Sequence, residues 1–149
     1  MFRTLLVLGV LGLATANVAS AQTVAQTLRD FGILGTWSKD CSAPASEDNL
    51  HTVFAALPSG KAKRTYYKGP NIIFNDFTIT QAKRLPPNQL SYRQVGQLAT
   101  GLTHIDVILL REKNRYMIWS SIGSDGKIYV KDGKFADGEA TWWETRCKG

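Results

Sequence analysis

Acid–base, nucleophilic and metal chemistry each need a small set of titratable side chains brought to one place, and this chain offers few. Its two histidines, His51 and His104, fall on different predicted strands, and neither has Cys, Asp or Glu at metal-ligand spacing. His104 reads instead as the solvent-facing neighbour of Asp106. Hydroxyl groups are plentiful, but none sits in a recognisable nucleophile turn of the kind a Ser-His-carboxylate triad needs. Glycoside hydrolysis uses paired carboxylates. Asp76 is the one acid embedded in an apolar strand, where alternation turns it outward. The Asp125-Gly126 and Asp132-Gly133 steps lack the ligand spacing of a calcium loop and read as turns. No catalytic residue, metal ligand or cofactor is expected.

Binding is the chemistry these residues do offer. A barrel that holds a small molecule needs an apolar lining and a few polar groups near its mouth. Tyr66, Tyr92 and Tyr116 are candidates for the lining, with Tyr67 and Trp119 extending the aromatic set, and Arg93 or Arg111 is a candidate to hold an acidic group. The expected ligand is small and either apolar or acidic. The segment Lys61 to Lys68 is basic on both faces, which suits an edge strand or a barrel mouth. A phosphate or carboxylate site is the sharper reading of the same residues.

Arg3, the apolar run Leu5 to Leu13 and the small-residue exit Ala19-Ser20-Ala21 form the three parts of a secretory signal peptide. Residues 1–21 are therefore expected to be a leader, and residues 22–149 a single domain exported to the periplasm or secreted. The apolar run is shorter than the roughly 20 residues a membrane-spanning helix needs, and no later stretch approaches that length. Losing Arg3 lowers the formal charge from +6 to +5, a modest excess that favours acidic partners weakly. No Lys/Arg block of nucleic-acid type is present. In an oxidising compartment the two cysteines, Cys41 and Cys147, are expected to form one disulfide that ties the first strand to the last.

Between those cysteines lie short alternating segments separated by Gly, Pro, Asn and Asp, the pattern of an all-β fold. Gln22 to Phe31 carries Val24, Leu28 and Phe31 at the spacing of a short amphipathic helix, ended by Gly32. Strands are expected at Leu50 to Leu57, Lys61 to Lys68, Ile72 to Ala82 with a break near Asn75, Leu90 to Leu98, and Lys127 to Lys131. Leu90 to Leu98 alternates poorly and suits a strand facing a solvated cavity. The clearest hairpin joins Ile105 to Leu110 with Tyr116 to Ile122 through Lys113-Asn114. That turn pairs Arg111 with Tyr116 and Leu109 with Ile118. It also places Ile105, Val107 and Leu109 on one wall with Ile118, Ser120 and Ile122. The other face carries Ile108, Leu110, Met117 and Trp119, so it is expected to be covered by the N-terminal helix or, as the alternative, to form a contact surface.

A short helix leading into Gly35-Thr36-Trp37 resembles the first motif of the lipocalin and calycin barrels. The later Thr-Asp-x-x-Tyr signature of lipocalins is absent. The chain is also similar to small exported bacterial proteins with Gly-Thr-Trp and Cys near the start and Arg-Cys near the end. The resemblance implies a single small antiparallel β-barrel in which Trp37 closes one end and Arg146 packs across its indole, with Gly35, Trp37 and Arg146 structural. It implies a non-catalytic carrier or sensor for a small, partly apolar ligand. The alternative is a protein-binding module of the cell envelope, such as a hydrolase inhibitor or an assembly factor. The first expectation requires a hollow barrel, and the second a filled core with an exposed patch.

Overall fold

The computed structural model describes residues 22–148, and the expected leader at residues 1–21 lies outside them. Helix α1 (Val24–Phe31) starts where the Thr23 hydroxyl accepts a hydrogen bond from the Gln26 amide at 3.1 Å, satisfying one of the free donors of the first turn. It stops at Gly32, whose left-handed φ of 75° returns its N–H to the last carbonyls. Leu28 and Phe31 point into the core.

The strands are β1 (Gly35–Ser38), β2 (His51–Ala56), β3 (Ala62–Tyr67), β4 (Ile73–Leu85), β5 (Gln89–Leu98), β6 (Gly101–Glu112), β7 (Arg115–Gly123), β8 (Ile128–Lys131), β9 (Lys134–Phe135) and β10 (Glu144–Arg146). Successive strands pair antiparallel from β1 to β7. The short β10 pairs with β7 on one side and β1 on the other, so eight strands close into a barrel with no open edge. β8 and β9 branch off β7. The Cys41–Cys147 disulfide forms just beyond β1 and β10, and so ties the two ends of the fold together as expected.

One end of the barrel is filled. Strand alternation turns Ala62, Ile79, Leu90 and Leu109 inward, and Leu28 and Phe31 of α1, with Ile33 just after it, close over them. Its Ala25 amide donates to the Gly60 carbonyl in the β2–β3 turn at 2.9 Å. Trp37 is fully buried at this end, where its indole N–H donates to the Ile33 carbonyl at 2.7 Å. The Arg146 guanidinium carbon lies 4.9 Å from the ring centroid. Because Trp37 and Arg146 are direct partners in the β1–β10 register, that contact follows from the strand pairing. Gly35 is required by its φ of 126°, a conformation side-chain-bearing residues avoid.

Two expectations about the β6–β7 hairpin change in the structure. Arg111↔Tyr116 and Leu109↔Ile118 pair as the turn dictates, but the register then slips so that Ile108 faces Ser120 and Trp119 is bulged out. One extra residue reverses every later side chain. Ser121 and Gly123 therefore join Ile105 and Val107 on the inner wall, and Ile122 stands 40% exposed outside. The helix does not cover the outer face either, since it sits on the closed end against β3 and β4. The Asp132-Gly133 turn covers Met117 and Trp119 instead. Gly133 takes a left-handed φ of 71°, and a Cβ there would lie 2.9 Å from the Met117 methyl.

The basic segment is not an edge. β3 is paired along its length with β2 and β4. Its inner face is Ala62, Arg64 and Tyr66, while Lys63 points outward to Asp76 at 2.7 Å.

Candidate ligand cavity

Above the filled layer the barrel is hollow. The bulge at Trp119 is one cause, because it presents Ser121 to the interior in place of Ile122. Gly96 on β5 is another: a Cβ there would meet the Phe77 ring at 2.4 Å, so its absence gives that ring its place on the wall. The resulting cavity has a volume of about 420 Å³, within the roughly 300 to 1,000 Å³ typical of small-molecule sites. Its walls are mainly apolar, with Phe77, Leu98, Ile105 and Ile118 among them, and Phe74, Tyr129 and Trp142 stand at the mouth. Trp142 packs against Phe135 with ring centroids 5.1 Å apart.

The floor is polar. Arg64 is 1% exposed, and its Nη1 donates to the Tyr92 hydroxyl at 2.6 Å. Tyr116 stands edge-on to both Trp37 (5.2 Å) and Phe54 (5.9 Å), separating the filled end from the hollow one. Its hydroxyl donates to Glu144 Oε2 at 2.7 Å. Burial pushes the Tyr92 hydroxyl up to about 12, and burial raises Tyr116 as well, so both phenols stay protonated near neutrality.

Of the residues singled out from sequence, Tyr66 and Tyr116 line the cavity, and Tyr92 reaches it through Arg64. Arg93 and Arg111 lie elsewhere. Arg93 faces solvent, where its Nε and Nη2 hold Asp106 at 2.7 and 2.8 Å. Alternation explains this, because Tyr92 and Gln94 on either side of it point inward. Arg111 lies at the closed end, where its Nη1 donates to the Phe31 carbonyl and its guanidinium lies over the Phe31 ring. There it secures the end of the helix, outside the cavity of the hollow end. Sequence reasoning took Lys61 to Lys68 as a candidate anion site without singling out Arg64, and it missed Gln94 and Glu144. For Arg64 the available signal was its place between Ala62 and Tyr66 on alternate positions of β3.

Glu144 is 5% exposed, and burial, the largest influence on it, raises its carboxyl above the usual range despite the opposing hydrogen bond from Tyr116 and the charge of Arg64. A carboxyl raised in the folded state contributes stability that is fully present below its unfolded value and is lost as pH rises through the folded one. Glu144→Gln, which keeps an acceptor for Tyr116, is expected to flatten that loss and to melt higher than the native protein near neutrality. Melting temperatures from about pH 4 to pH 8 check this. Parallel curves for the two proteins would show that Glu144 carries no such penalty.

Among the described residues, no group of three or more His, Cys, Asp or Glu side chains is arranged to hold a metal ion, and no helix is long and apolar enough to cross a membrane. Fold and cavity together define a closed antiparallel barrel that is hollow at one end, an architecture compatible with a lipocalin-like barrel. The chain matches no family model, no curated protein and no solved structure at a significant level.

Proposed function

We propose that this chain is an exported, non-catalytic binding protein of lipocalin-like type that carries or senses a small, partly apolar ligand in the periplasm or outside the cell. The supporting observation is the cavity of about 420 Å³, apolar along its walls. Emptying a barrel interior forfeits packing that would otherwise stabilise it, so a hollow end opposite a well-filled one is a feature suited to an occupant. The disulfide agrees with an oxidising compartment.

Titration with N-phenyl-1-naphthylamine, a neutral apolar fluorophore, tests the reading. One saturable site per chain is expected. Ser121→Trp, which fills the space at a small inward position, is expected to weaken binding at least tenfold while the protein still melts cooperatively. Non-saturable fluorescence, or undiminished binding to a folded Ser121→Trp protein, would contradict it.

A second reading, a protein-binding module of the cell envelope, draws on Ile72, Ile73 and Phe74. Ile72 precedes β4, Ile73 and Phe74 begin it, and each is about half exposed. On that reading the fluorophore finds no saturable site, and Ile73→Asp weakens capture of an envelope protein without changing the fold.

A further inference from the structure

We infer that Arg64 is the ligand's polar anchor, and that the ligand is an apolar-tailed carboxylate bound with its head at the floor of the barrel and its tail toward the mouth. This rests on the binding reading above and gives it a ligand class. Arg64 lines the cavity from β3 and is almost completely buried. Arginine remains charged in proteins, and a buried charge is costly unless it is paired. Among the described residues only Arg64 Nη1 is used, for Tyr92, while Nε and Nη2 have no partner.

Those two nitrogens form the side-on fork of a guanidinium, whose spacing matches the two oxygens of a carboxylate. The same protein shows the fork in use, because Arg93 holds Asp106 with its own Nε and Nη2. Among the described residues, nothing inside the barrel plays Asp106's part for Arg64. Glu144, the buried carboxyl of the same cavity, is held by Tyr116, and no ion pair joins it to Arg64 among the described residues. The guanidinium is also fixed in place, with its central carbon 4.5 Å from the Tyr66 ring centroid and 5.2 Å from that of Phe54. Aromatic faces on a guanidinium restrain its plane without using its N–H donors, so the fork is oriented before any ligand arrives.

Gln94 adds a second polar group to the same cavity. It is 3% exposed, and its side-chain oxygen is also unpartnered. Beyond these groups the walls are the apolar side chains of Phe77, Ile105 and Ile118, which suit a hydrocarbon tail and offer no second cation for another acid. The charged groups around the head are thus Arg64 from β3 and Glu144 from β10, with the phenols of Tyr66, Tyr92 and Tyr116 beside them. One positive charge next to an acid favours a monoanion over a dianion.

Displacement of N-phenyl-1-naphthylamine by decanoate and by decanol, at pH 7 and matched ionic strength, tests the inference. Decanoate is expected to displace the fluorophore from the native protein at a concentration at least tenfold lower than decanol. In Arg64→Met, which keeps the unbranched stem and removes the charge and the fork, this preference should vanish, read as the ratio of the two displacing concentrations. In Arg64→Lys, which keeps the charge and loses the fork, decanoate should bind at an intermediate level. Equal displacement by decanoate and decanol from the native protein would overturn the inference and leave the binding reading standing, as would a preference that survives in Arg64→Met. A native protein that binds none of the three molecules would overturn both. Should Arg64→Met fail to fold, the native comparison together with Arg64→Lys still decides the outcome.

Discussion

Trp37→Ala is expected to cost about 3 to 5 kcal/mol of stability, the range for deleting a large aromatic side chain from a packed core. The indole is completely buried, meets Tyr116 edge-on, and donates to the Ile33 carbonyl where the chain leaves α1 for β1. Truncation would open a void beneath the cavity floor and free the helix from the barrel at once. Arg146→Ala should cost less, about 0.5 to 2 kcal/mol for the stacked cation, with a further loss from the hydrogen bonds its Nη2 makes to the carbonyls of Gly32 and Leu34 at 2.9 and 2.7 Å. Ligand affinity should be nearly unchanged by Arg146→Ala, because the cavity lies on the far side of Tyr116. Urea unfolding followed by tryptophan fluorescence and circular dichroism measures both losses. A Trp37→Ala loss below about 1 kcal/mol would mean that the closed end is not packed as described.

Replacing Cys41 and Cys147 together by serine is expected to have an effect of similar size, about 4 to 5 kcal/mol in the chain-entropy view of a loop this long. The cysteines are 106 residues apart in sequence. The location of the bond adds to the effect of loop length. β10 has three residues, and it is held by two residue pairs on the β1 side and two on the β7 side. This is the shortest seam of the barrel, and it carries both Arg146 and Glu144. Without the bond, amide exchange should rise first in β1 and β10, ahead of the long β4 to β6 ladders. Uniform protection across all strands in the double-serine protein would show that the seam holds without the disulfide.

The parts of this fold that were legible in the sequence are those governed by local chemistry. Gly32 ends the helix, and the Lys113-Asn114 turn sets the first pairs of its hairpin. Gly35-x-Trp37 with Arg146 gives the closed end, because one disulfide and one antiparallel register bring those residues together. The bulge at Trp119 was not legible. No residue type marks it, and it arises because the strand must bend to close the barrel. Its consequence is functional, since it exchanges Ile122 for Ser121 on the inner wall and so empties the interior. Arg64 was hidden for a different reason. Lysines and arginines at positions 61, 63, 64 and 68 lie on both faces of the segment and suit an edge strand or a barrel mouth, and solvent is the usual place for such charges. Only the pairing of β3 on both sides shows that alternate residues of that segment must point into the barrel. Arg93 shows the converse case, an arginine beside a tyrosine on a strand, turned outward by one step of the same alternation.

The most direct test of a ligand-binding barrel is native mass spectrometry of the protein isolated from the cells that make it, compared with Ser121→Trp protein prepared in parallel. The expected spectrum shows one small molecule per native chain, lost from Ser121→Trp and identifiable after release as a carboxylic acid with an apolar chain. A native protein that carries no small molecule, and that acquires none when offered decanoate or N-phenyl-1-naphthylamine, would contradict the binding role.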